Sequence, residues 1–325
     1  MKRFEWIEAA NLDAALAATA GGAVPKAGGM DLLDLMKEGL LAPRRVVNIR
    51  ALGQLRGITE ESAGTVRIGA GMTLAEIASH PLVARYPALA QAAARSASPQ
   101  IRNVATLAGN LLQRPRCWYF RSAHHHCARK GGAACFAFTG ENQYHAIFGH
   151  DGCAIVHPST PATALVALGA TLEIAGAKGR RMLALEDFFV LPERDILHEN
   201  VLAEGEIVTA IVLPRQEARS RSVHLRQGQM DSFDWPIADV AVAVVLDPDG
   251  TCRRASIVLG SAAPTPWRAS RAEAALAGKR IDEETARIAA RAALEGAQPL
   301  SHNAYKVPVL ETLVHRALLE AAQGA

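Results

Sequence analysis

The feature that most constrains this chain is one segment, between residues 117 and 157, in which unusual residue types are concentrated. Four of the five cysteines, six of the eleven histidines and seven of the sixteen aromatic residues lie there. The chain between them shows neither helical nor strand periodicity. A stretch of that length without secondary structure is uncommon inside a compact domain unless something functional orders it. The segment therefore predicts a site around which the local chain is organised.

The four cysteines of this segment are candidate ligands of one metal centre. They are Cys117, Cys127, Cys135 and Cys153, with nine, seven and seventeen residues between them. Four thiolates suit either a tetrahedral zinc ion or an iron–sulfur cluster. The spacing matches neither the short C-x-x-C pairs of zinc ribbons nor the bacterial ferredoxin pattern. Spacing alone therefore leaves both metals open.

Two further residue types bear on the choice of metal. The first is a run of three histidines, His124, His125 and His126. Imidazole suits zinc, so one of these side chains could replace a thiolate. Alternatively, the three histidines form a solvated loop tip. The nearby Phe, Tyr and Trp side chains favour an iron–sulfur cluster, since apolar neighbours shield such a cluster from water. Alternatively, these side chains form a small core of the segment itself.

The rest of the chain has the patterns of ordinary mixed helix and strand structure. A length of 325 residues predicts about two domains. The first 55 residues alternate short helices and strands, which is typical of a small α/β layer with parallel pairing. The apolar runs Val240–Leu246 and Ala255–Gly260 flank the turn sequence Asp247–Gly250 and predict a hairpin, which Ala-rich helices follow. We therefore predict a second, smaller α+β domain that begins near residue 220.

Charge and hydropathy exclude several classes of protein. The net charge is +3, from 35 basic and 32 acidic residues, and the scattered charges give too weak a field for nucleic-acid binding. No apolar run reaches the roughly 18 residues of a membrane span. Glu5 and Glu8 interrupt what would be the apolar region of a signal peptide. The odd number of cysteines does not match a secreted disulfide framework. We therefore expect a soluble protein made in a reducing compartment, without an export signal of its own.

Three glycine-containing loops are candidate ligand sites. The segment Lys26–Leu33 places two glycines between a strand and a helix start, where backbone N–H groups can bind phosphate or simply form a tight turn. The pair in Gly69–Gly71 lacks the third glycine of the G-x-G-x-x-G fingerprint, which disfavours a Rossmann site. In Gln100–Gln113, Thr106 and Asn110 could line a polar ligand, or the segment could be a turn flanked by apolar residues.

Taken together and in order, several segments resemble one protein family. They are Ala27–Leu33, Ile68–Leu74, Arg102–Asn110, His157–Pro158 and Glu206–Pro214. Over essentially the whole chain they are similar to the FAD-binding medium subunit of molybdenum hydroxylases, the xanthine dehydrogenase family. The resemblance is greatest to bacterial aldehyde oxidoreductase medium subunits and to 4-hydroxybenzoyl-CoA reductase. In that subset an insertion after the Gly-Asn loop holds an additional 4Fe-4S cluster, and here the segment that begins at Leu111 occupies that place.

The resemblance implies an α+β fold with a defined domain organisation. Residues 1–220 would form a two-subdomain FAD-binding domain of the vanillyl-alcohol-oxidase or PCMH type. The cluster-binding insertion would span residues 114–153. Residues 221–325 would form a smaller C-terminal domain of the CO dehydrogenase flavoprotein type, with an antiparallel sheet and helices.

The resemblance also implies site residues. The first loop would wrap the FAD pyrophosphate, and the second would form the opposite wall of the site. The expected FAD-binding residues are Lys26, Ala27, Gly28, Gly29, Met30, Asp31, Leu32, Thr106, Leu107, Ala108, Gly109, Asn110, Thr160, Val208 and Arg226. The expected cluster ligands are Cys117, Cys127, Cys135 and Cys153. Met30 and Thr160 depart from the family, which often has Thr or Ser at the first position and Asp at the second.

The implied function is electron transfer inside a heterotrimer. In this role no acid–base residue of this chain needs to touch the substrate. A large subunit with a molybdopterin cofactor would oxidise the substrate, an aldehyde in this subset. A small subunit with two 2Fe-2S clusters would relay electrons to the FAD of this chain. The alternatives are a zinc-stabilised assembly module without redox function and a self-sufficient flavin oxidase. The expected location is cytoplasmic, or periplasmic by co-export with a signal-bearing partner.

Overall fold

The protein is described over residues 1–323 by a computed structural model, and its first layer is a small parallel sheet. The strands are β1 (Glu5–Glu8), β2 (Val24–Lys26) and β3 (Arg45–Asn48), in the order β1-β3-β2. The connecting helices are α1 (Leu12–Ala20) and α2 (Met30–Lys37). Asn11 begins α1, because its side chain accepts a hydrogen bond from the Ala14 N–H. The predicted parallel pairing is confirmed.

The second layer is a five-stranded antiparallel sheet with the main hydrophobic core on one face. Its strands are β4 (Ile58–Glu60), β5 (Val66–Gly69), β6 (Thr171–Gly176), β7 (Gly179–Ala184) and β8 (Ile207–Leu213), in the order β4-β5-β8-β6-β7. The helices of this part of the chain are α3 (Leu74–Ser79), α4 (Pro81–Ala84), α5 (Pro87–Ala94), α6 (Pro99–Arg102), α7 (Leu107–Leu111), α8 (Trp118–Arg121) and α9 (Thr160–Ala167). Thr73 and Glu76 form a capping box at the start of α3, because each side chain bonds the other's backbone N–H.

The third layer is a four-stranded antiparallel sheet covered by the C-terminal helices. Its strands are β9 (Ser220–Gln227), β10 (Ala238–Leu246), β11 (Cys252–Gly260) and β12 (Trp267–Arg268), in the order β12-β11-β10-β9. The helices are α10 (Ser270–Leu276), α11 (Glu283–Ala293) and α12 (Lys306–Gln323). The predicted hairpin of β10 and β11 is confirmed, with Gly250 at a φ of 86° in its turn. The mixed architecture with a C-terminal antiparallel sheet agrees with the predicted fold class.

The cysteine-containing segment is irregular. Between 114 and 153 it holds only α8 and two short 3-10 turns, Ala128–Lys130 and Phe136–Phe138. Its end lies against the third sheet, where the Ile147 N–H donates to the Ala262 carbonyl at 2.8 Å. Residues 154–157 form no strand, because their backbone hydrogen bonds go to two separate partners, Ala146 and Ala263. Across residues 1–323, every helix is too short or too polar to cross a membrane.

Candidate functional site

A cleft with a volume of about 910 Å³ lies where loops from all three sheets meet. This is the size of a site for a large organic ligand. The expected FAD-binding residues that line it are Lys26, Ala27, Gly28, Gly29, Met30, Asp31, Leu32, Thr106, Ala108, Gly109, Asn110, Thr160, Val208 and Arg226. Leu107 is the exception, because it is fully buried in the core beneath the cleft. Fourteen of the fifteen expected residues thus share one cleft.

The first glycine loop forms one wall of this cleft, and its backbone conformation requires glycine. A Cβ atom on Gly28 would overlap the carbonyl oxygen of Val104. Gly29 has a φ of 79°, in the left-handed region that L side chains rarely adopt. The pair at 69 and 71 has a different role, since a Cβ on Gly69 would meet the backbone of Leu55 and Arg56. Those two glycines therefore permit close packing of loops.

The N–H groups of the first loop are available to a ligand. Helix α2 begins after Gly29 without a side-chain cap. Within residues 1–323, no protein acceptor binds the N–H groups from Gly28 to Leu32. Unpartnered N–H groups at a helix N-terminus carry partial positive charge and bind anionic groups such as phosphate. The loop therefore fits the pyrophosphate of a dinucleotide.

The second wall of the cleft, around α7, differs from the first because its backbone N–H groups have partners within the protein. The Thr106 hydroxyl accepts a hydrogen bond from the Gly109 N–H at 3.3 Å, and the Asn110 N–H donates to the Thr106 carbonyl at 2.8 Å. The Asn110 side-chain oxygen accepts from the Ser159 hydroxyl at 2.5 Å. These backbone N–H groups are already used by the helix. This wall therefore contributes shape and side-chain polar groups, with its N–H groups engaged internally.

Arg226 connects two wall segments that the sequence analysis missed. Its Nη1 donates to the Arg95 carbonyl at 2.7 Å, and its Nη2 donates to the Asp234 carbonyl at 2.6 Å. Burial lowers the pKa of this guanidinium. The segments so joined, 95–98 and 233–236, both line the cleft. The sequence marks the second of these segments only by the aromatic pair Phe233 and Trp235, which the structure leaves 62% and 51% exposed.

The four cysteines of the irregular segment line one small cavity. Cys127 and Cys153 are buried, whereas Cys117 and Cys135 are half-buried, and all four are free thiols. The other lining residues are mainly apolar: Tyr119, Phe120, Ala128, Arg129, Phe136 and Ile155. In the part of the chain that the structure describes, no three His, Cys, Asp or Glu side chains converge closely enough to hold a single ion. The thiols instead surround a space.

The thiols of this cavity differ in their acidity. A hydrogen bond from Cys135, together with the charge of Arg129, lowers the pKa of Cys153 to about 6. The same hydrogen bond and burial raise the pKa of Cys135, and burial raises that of Cys117 to about 11. The Cys135 hydrogen bond and the Arg129 charge therefore favour the thiolate form of Cys153, which is the form that binds metal.

Two nitrogen-containing side chains contact these sulfur atoms. The Arg129 Nε donates to the Cys153 Sγ at 3.3 Å, and its Nη1 donates to the Glu199 carboxylate at 2.8 Å. The Arg129 Nη2 is buried without a partner among the described residues. The His145 Nε2 lies 3.2 Å from the Cys117 Sγ, and burial lowers the pKa of His145 to about 4. A buried cation with a free N–H beside four thiols fits an anionic metal–sulfur cluster.

The three consecutive histidines lie outside this cavity. His124 and His126 are exposed, as a solvated loop tip would be. His125 is half-buried and packs edge-on against Tyr119 and Phe136, with ring centroids 5.2 Å from each. Its Nδ1 lies 3.1 Å from the Ser122 hydroxyl. His125 therefore packs within the segment's own aromatic cluster.

Two known protein families match this chain, one over its N-terminal part and one over its C-terminal part. Residues 2–216 match the FAD binding domain in molybdopterin dehydrogenase, and residues 224–321 match the CO dehydrogenase flavoprotein C-terminal domain. The chain belongs to the FAD-binding medium subunits of the molybdenum hydroxylases, the xanthine dehydrogenase and CO dehydrogenase family. It is accordingly an oxidoreductase subunit. This membership confirms the predicted flavin-subunit class.

Particular relatives share nearly the whole length of the chain. It is 34% identical over 303 residues to the aldehyde oxidoreductase FAD-binding subunit PaoB of Escherichia coli (strain K12). The aligned residues cover 92% of this chain and 91% of the relative. It is 30% identical to the carbon monoxide dehydrogenase medium chain of Hydrogenophaga pseudoflava, over 90% of this chain and 86% of that one. Quinoline 2-oxidoreductase from Pseudomonas putida 86 superposes with a TM-score of 0.77 at 27% identity, covering 100% of this chain and 99% of that chain.

Proposed function

We propose that the protein is the FAD and 4Fe-4S electron-transfer subunit of a heterotrimeric, aldehyde-oxidising molybdenum hydroxylase. The observation that carries this proposal is the presence of two adjoining sites: a cleft with unpartnered backbone N–H groups and a cavity lined by four thiols. The aldehyde class rests on similarity to the Escherichia coli relative, whose name describes an aldehyde oxidoreductase.

The FAD would lie in the large cleft, held by the residues predicted from the sequence. The N–H groups of Gly28 to Leu32 would donate to its pyrophosphate. Val208, which is buried beside the cleft, supplies an apolar contact, and Arg226 holds the wall in place. Met30 brings no hydroxyl to the loop, but the backbone donors remain, and Thr160 keeps a hydroxyl at the cleft surface. When bound, FAD accepts electrons singly and releases them in pairs.

The 4Fe-4S cluster would lie in the thiol cavity, with Cys117, Cys127, Cys135 and Cys153 as its ligands. The apolar lining excludes water, and this affects the reduction potential of such clusters. When bound, the cluster exchanges single electrons. The chain's own contribution is to order the irregular segment so that four thiols from distant positions face one space.

The remaining parts of the proposal concern the assembly. The domains are 1–220, with the insertion 114–153, and 221–325; the membership of β9 in the third sheet supports a division near 220. The partners are a large subunit with a molybdopterin cofactor and a small subunit with two 2Fe-2S clusters, which pass electrons to the FAD and from there to an acceptor. The complex resides in the cytoplasm, or in the periplasm after co-export with a signal-bearing partner.

Anaerobic reduction tests this function. An aldehyde is added to the assembled complex and, separately, to the full chain alone, while the flavin absorbance at roughly 450 nm is followed. The proposal predicts bleaching in the complex and no bleaching in the chain alone, because the substrate site lies on the large subunit. Bleaching of the chain alone would instead identify a self-sufficient oxidase. Absence of flavin from both preparations would overturn the proposal.

A further inference from the structure

The cavity of four cysteines is also lined by a buried cation, Arg129, which is not one of the proposed ligands. We propose that Arg129 sets the reduction potential of the cluster by donating to the sulfur of Cys153, with His145 as a weaker donor to Cys117. This inference rests on the proposed four-cysteine cluster. Arg129 is a positioning and tuning residue here, since it touches a ligand sulfur.

The Nε donor of Arg129 is directed at a sulfur atom that lines the cavity. The residue is 2% exposed, lines the cavity and donates from Nε to the Cys153 Sγ at 3.3 Å. Its Nη1 is held by Glu199 at 2.8 Å, which fixes the plane of the guanidinium. Its Nη2 has no acceptor among the described residues. A residue that served only to brace the loop would be expected to use all of its buried donors. The unused donor therefore points to a missing acceptor in the cavity.

The charges around the cavity are not balanced by Glu199 alone. That carboxylate is shared between Arg129 and Arg114, whose Nη2 lies 3.0 Å from Oε1. One carboxylate therefore faces two permanent guanidinium charges, which leaves one positive charge in excess among these three groups. Because Arg129 is nearly inaccessible to water, its field is poorly screened at the cavity.

A positive charge and N–H donors near a cluster both raise its reduction potential. One-electron reduction adds one negative charge to the cluster and its thiolate ligands, without a bond forming or breaking. A nearby cation and hydrogen bonds to the sulfurs stabilise the more negative, reduced form. Arg129 therefore raises the reduction potential. His145, whose Nε2 lies 3.2 Å from the Cys117 Sγ, acts in the same direction through a hydrogen bond when that nitrogen carries the proton.

The inference is tested by an anaerobic redox titration of the full complex, followed by the low-temperature electron paramagnetic resonance signal of the four-iron cluster. Arg129→Gln is expected to lower the midpoint potential, and Arg129→Lys to restore part of the difference. Glu199→Gln is expected to shift the potential upwards, because it removes the neighbouring negative charge. His145→Phe should give a smaller downward shift.

Lys130→Gln is the matched control, because Lys130 is the next residue and its Nζ donates to the carbonyls of Tyr119 and Ser122, with no thiol contact. Its potential should equal that of the wild type, as should the flavin potential in every variant. Should Arg129→Gln lose its cluster, the Lys and Glu199 variants still carry the test through the sign of their shifts. Unchanged potentials in iron-loaded variants overturn the inference alone. A wild-type complex without a four-iron signal overturns the proposed function and this inference with it.

Discussion

The Nη2 atom of Arg121 donates to Oδ1 of Asp31 at 2.7 Å, and this bond joins the cysteine segment to the FAD-binding loop. The Arg114 N–H donates to the other oxygen of Asp31 at 2.8 Å, and Arg116 lies 3.0 Å from the same carboxylate. Asp31 would otherwise place a negative charge beside a phosphate site. The arginines neutralise that charge and fix the start of α2 against the insertion.

Removing the charge of Asp31 should loosen the insertion. Asp31→Asn weakens the hydrogen bonds from the Arg121 guanidinium and the Arg114 backbone N–H, and it removes the ion pair with Arg116. Hydrogen bonds to a charged group contribute roughly 1.5 to 3 kcal/mol each. We expect a lower melting temperature and faster limited proteolysis between residues 114 and 145. Asp13→Asn, in the exposed first turn of α1, is the control and should leave both unchanged. Equal behaviour of the two variants would contradict the bracing role.

A side chain at Gly28 should prevent FAD binding. The Cβ of Gly28→Ala would overlap the Val104 carbonyl oxygen, so the loop and its free N–H groups must shift. We expect at least about a tenfold loss of FAD affinity, which corresponds to about 1.4 kcal/mol. The measurement is the flavin content and the quenching of FAD fluorescence on titration. Gly53→Ala is the matched control, since open space surrounds that position. Full FAD binding by Gly28→Ala would exclude this loop from the site.

Loss of the Arg226 bridge should open the cleft wall. Arg226→Met removes both bonds that hold residues 95–98 to residues 233–236. We expect weaker FAD binding and faster proteolysis near Phe233, because the loop loses its fixed position. Arg221→Met, on the same strand, removes an arginine that bonds the Ala322 carbonyl instead. Cleavage near Phe233 that is equally fast in both variants would show that the bridge has no specific effect.

His157 should make the fold sensitive to acid. Burial lowers its folded-state pKa from 6.5 to about 3. Between these values the unfolded chain binds a proton that the folded chain does not, so stability falls as pH falls through that window. His157→Asn removes this proton site, and its amide oxygen can still accept from the Ser159 N–H. Urea unfolding from about pH 7 to about pH 4 should show a shallower decline for the variant, by on the order of 1 kcal/mol per pH unit. Parallel curves would refute this assignment.

Local patterns predicted much of the fold, because they act over a few residues. The hairpin turn at Gly250 is an example. Strand β7 was missed, since its sequence Gly179–Ala184 is polar and mostly exposed at a sheet edge. Such an edge strand lacks the apolar run that marks a buried one.

The cleft was predictable only where a motif marks it. The first glycine loop has such a motif, but residues 95–98 and 233–236 reach the cleft through tertiary packing. Leu107 lies within the second motif and yet faces the core, because a helix presents neighbouring residues to different sides. The cysteines were identified by type, while their common cavity depends on long-range bonds such as that between Arg129 and Glu199.

The most direct test of the account is metal and flavin analysis of the full chain, purified anaerobically, as wild type and as Cys127→Ser. We predict four irons and four acid-labile sulfides per FAD in the wild type. The variant should lose its iron and keep most of its FAD, because Cys127 lies in the thiol cavity and outside the large cleft. Zinc without sulfide in the wild type, or equal loss of iron and FAD in the variant, would contradict two separate cofactor sites.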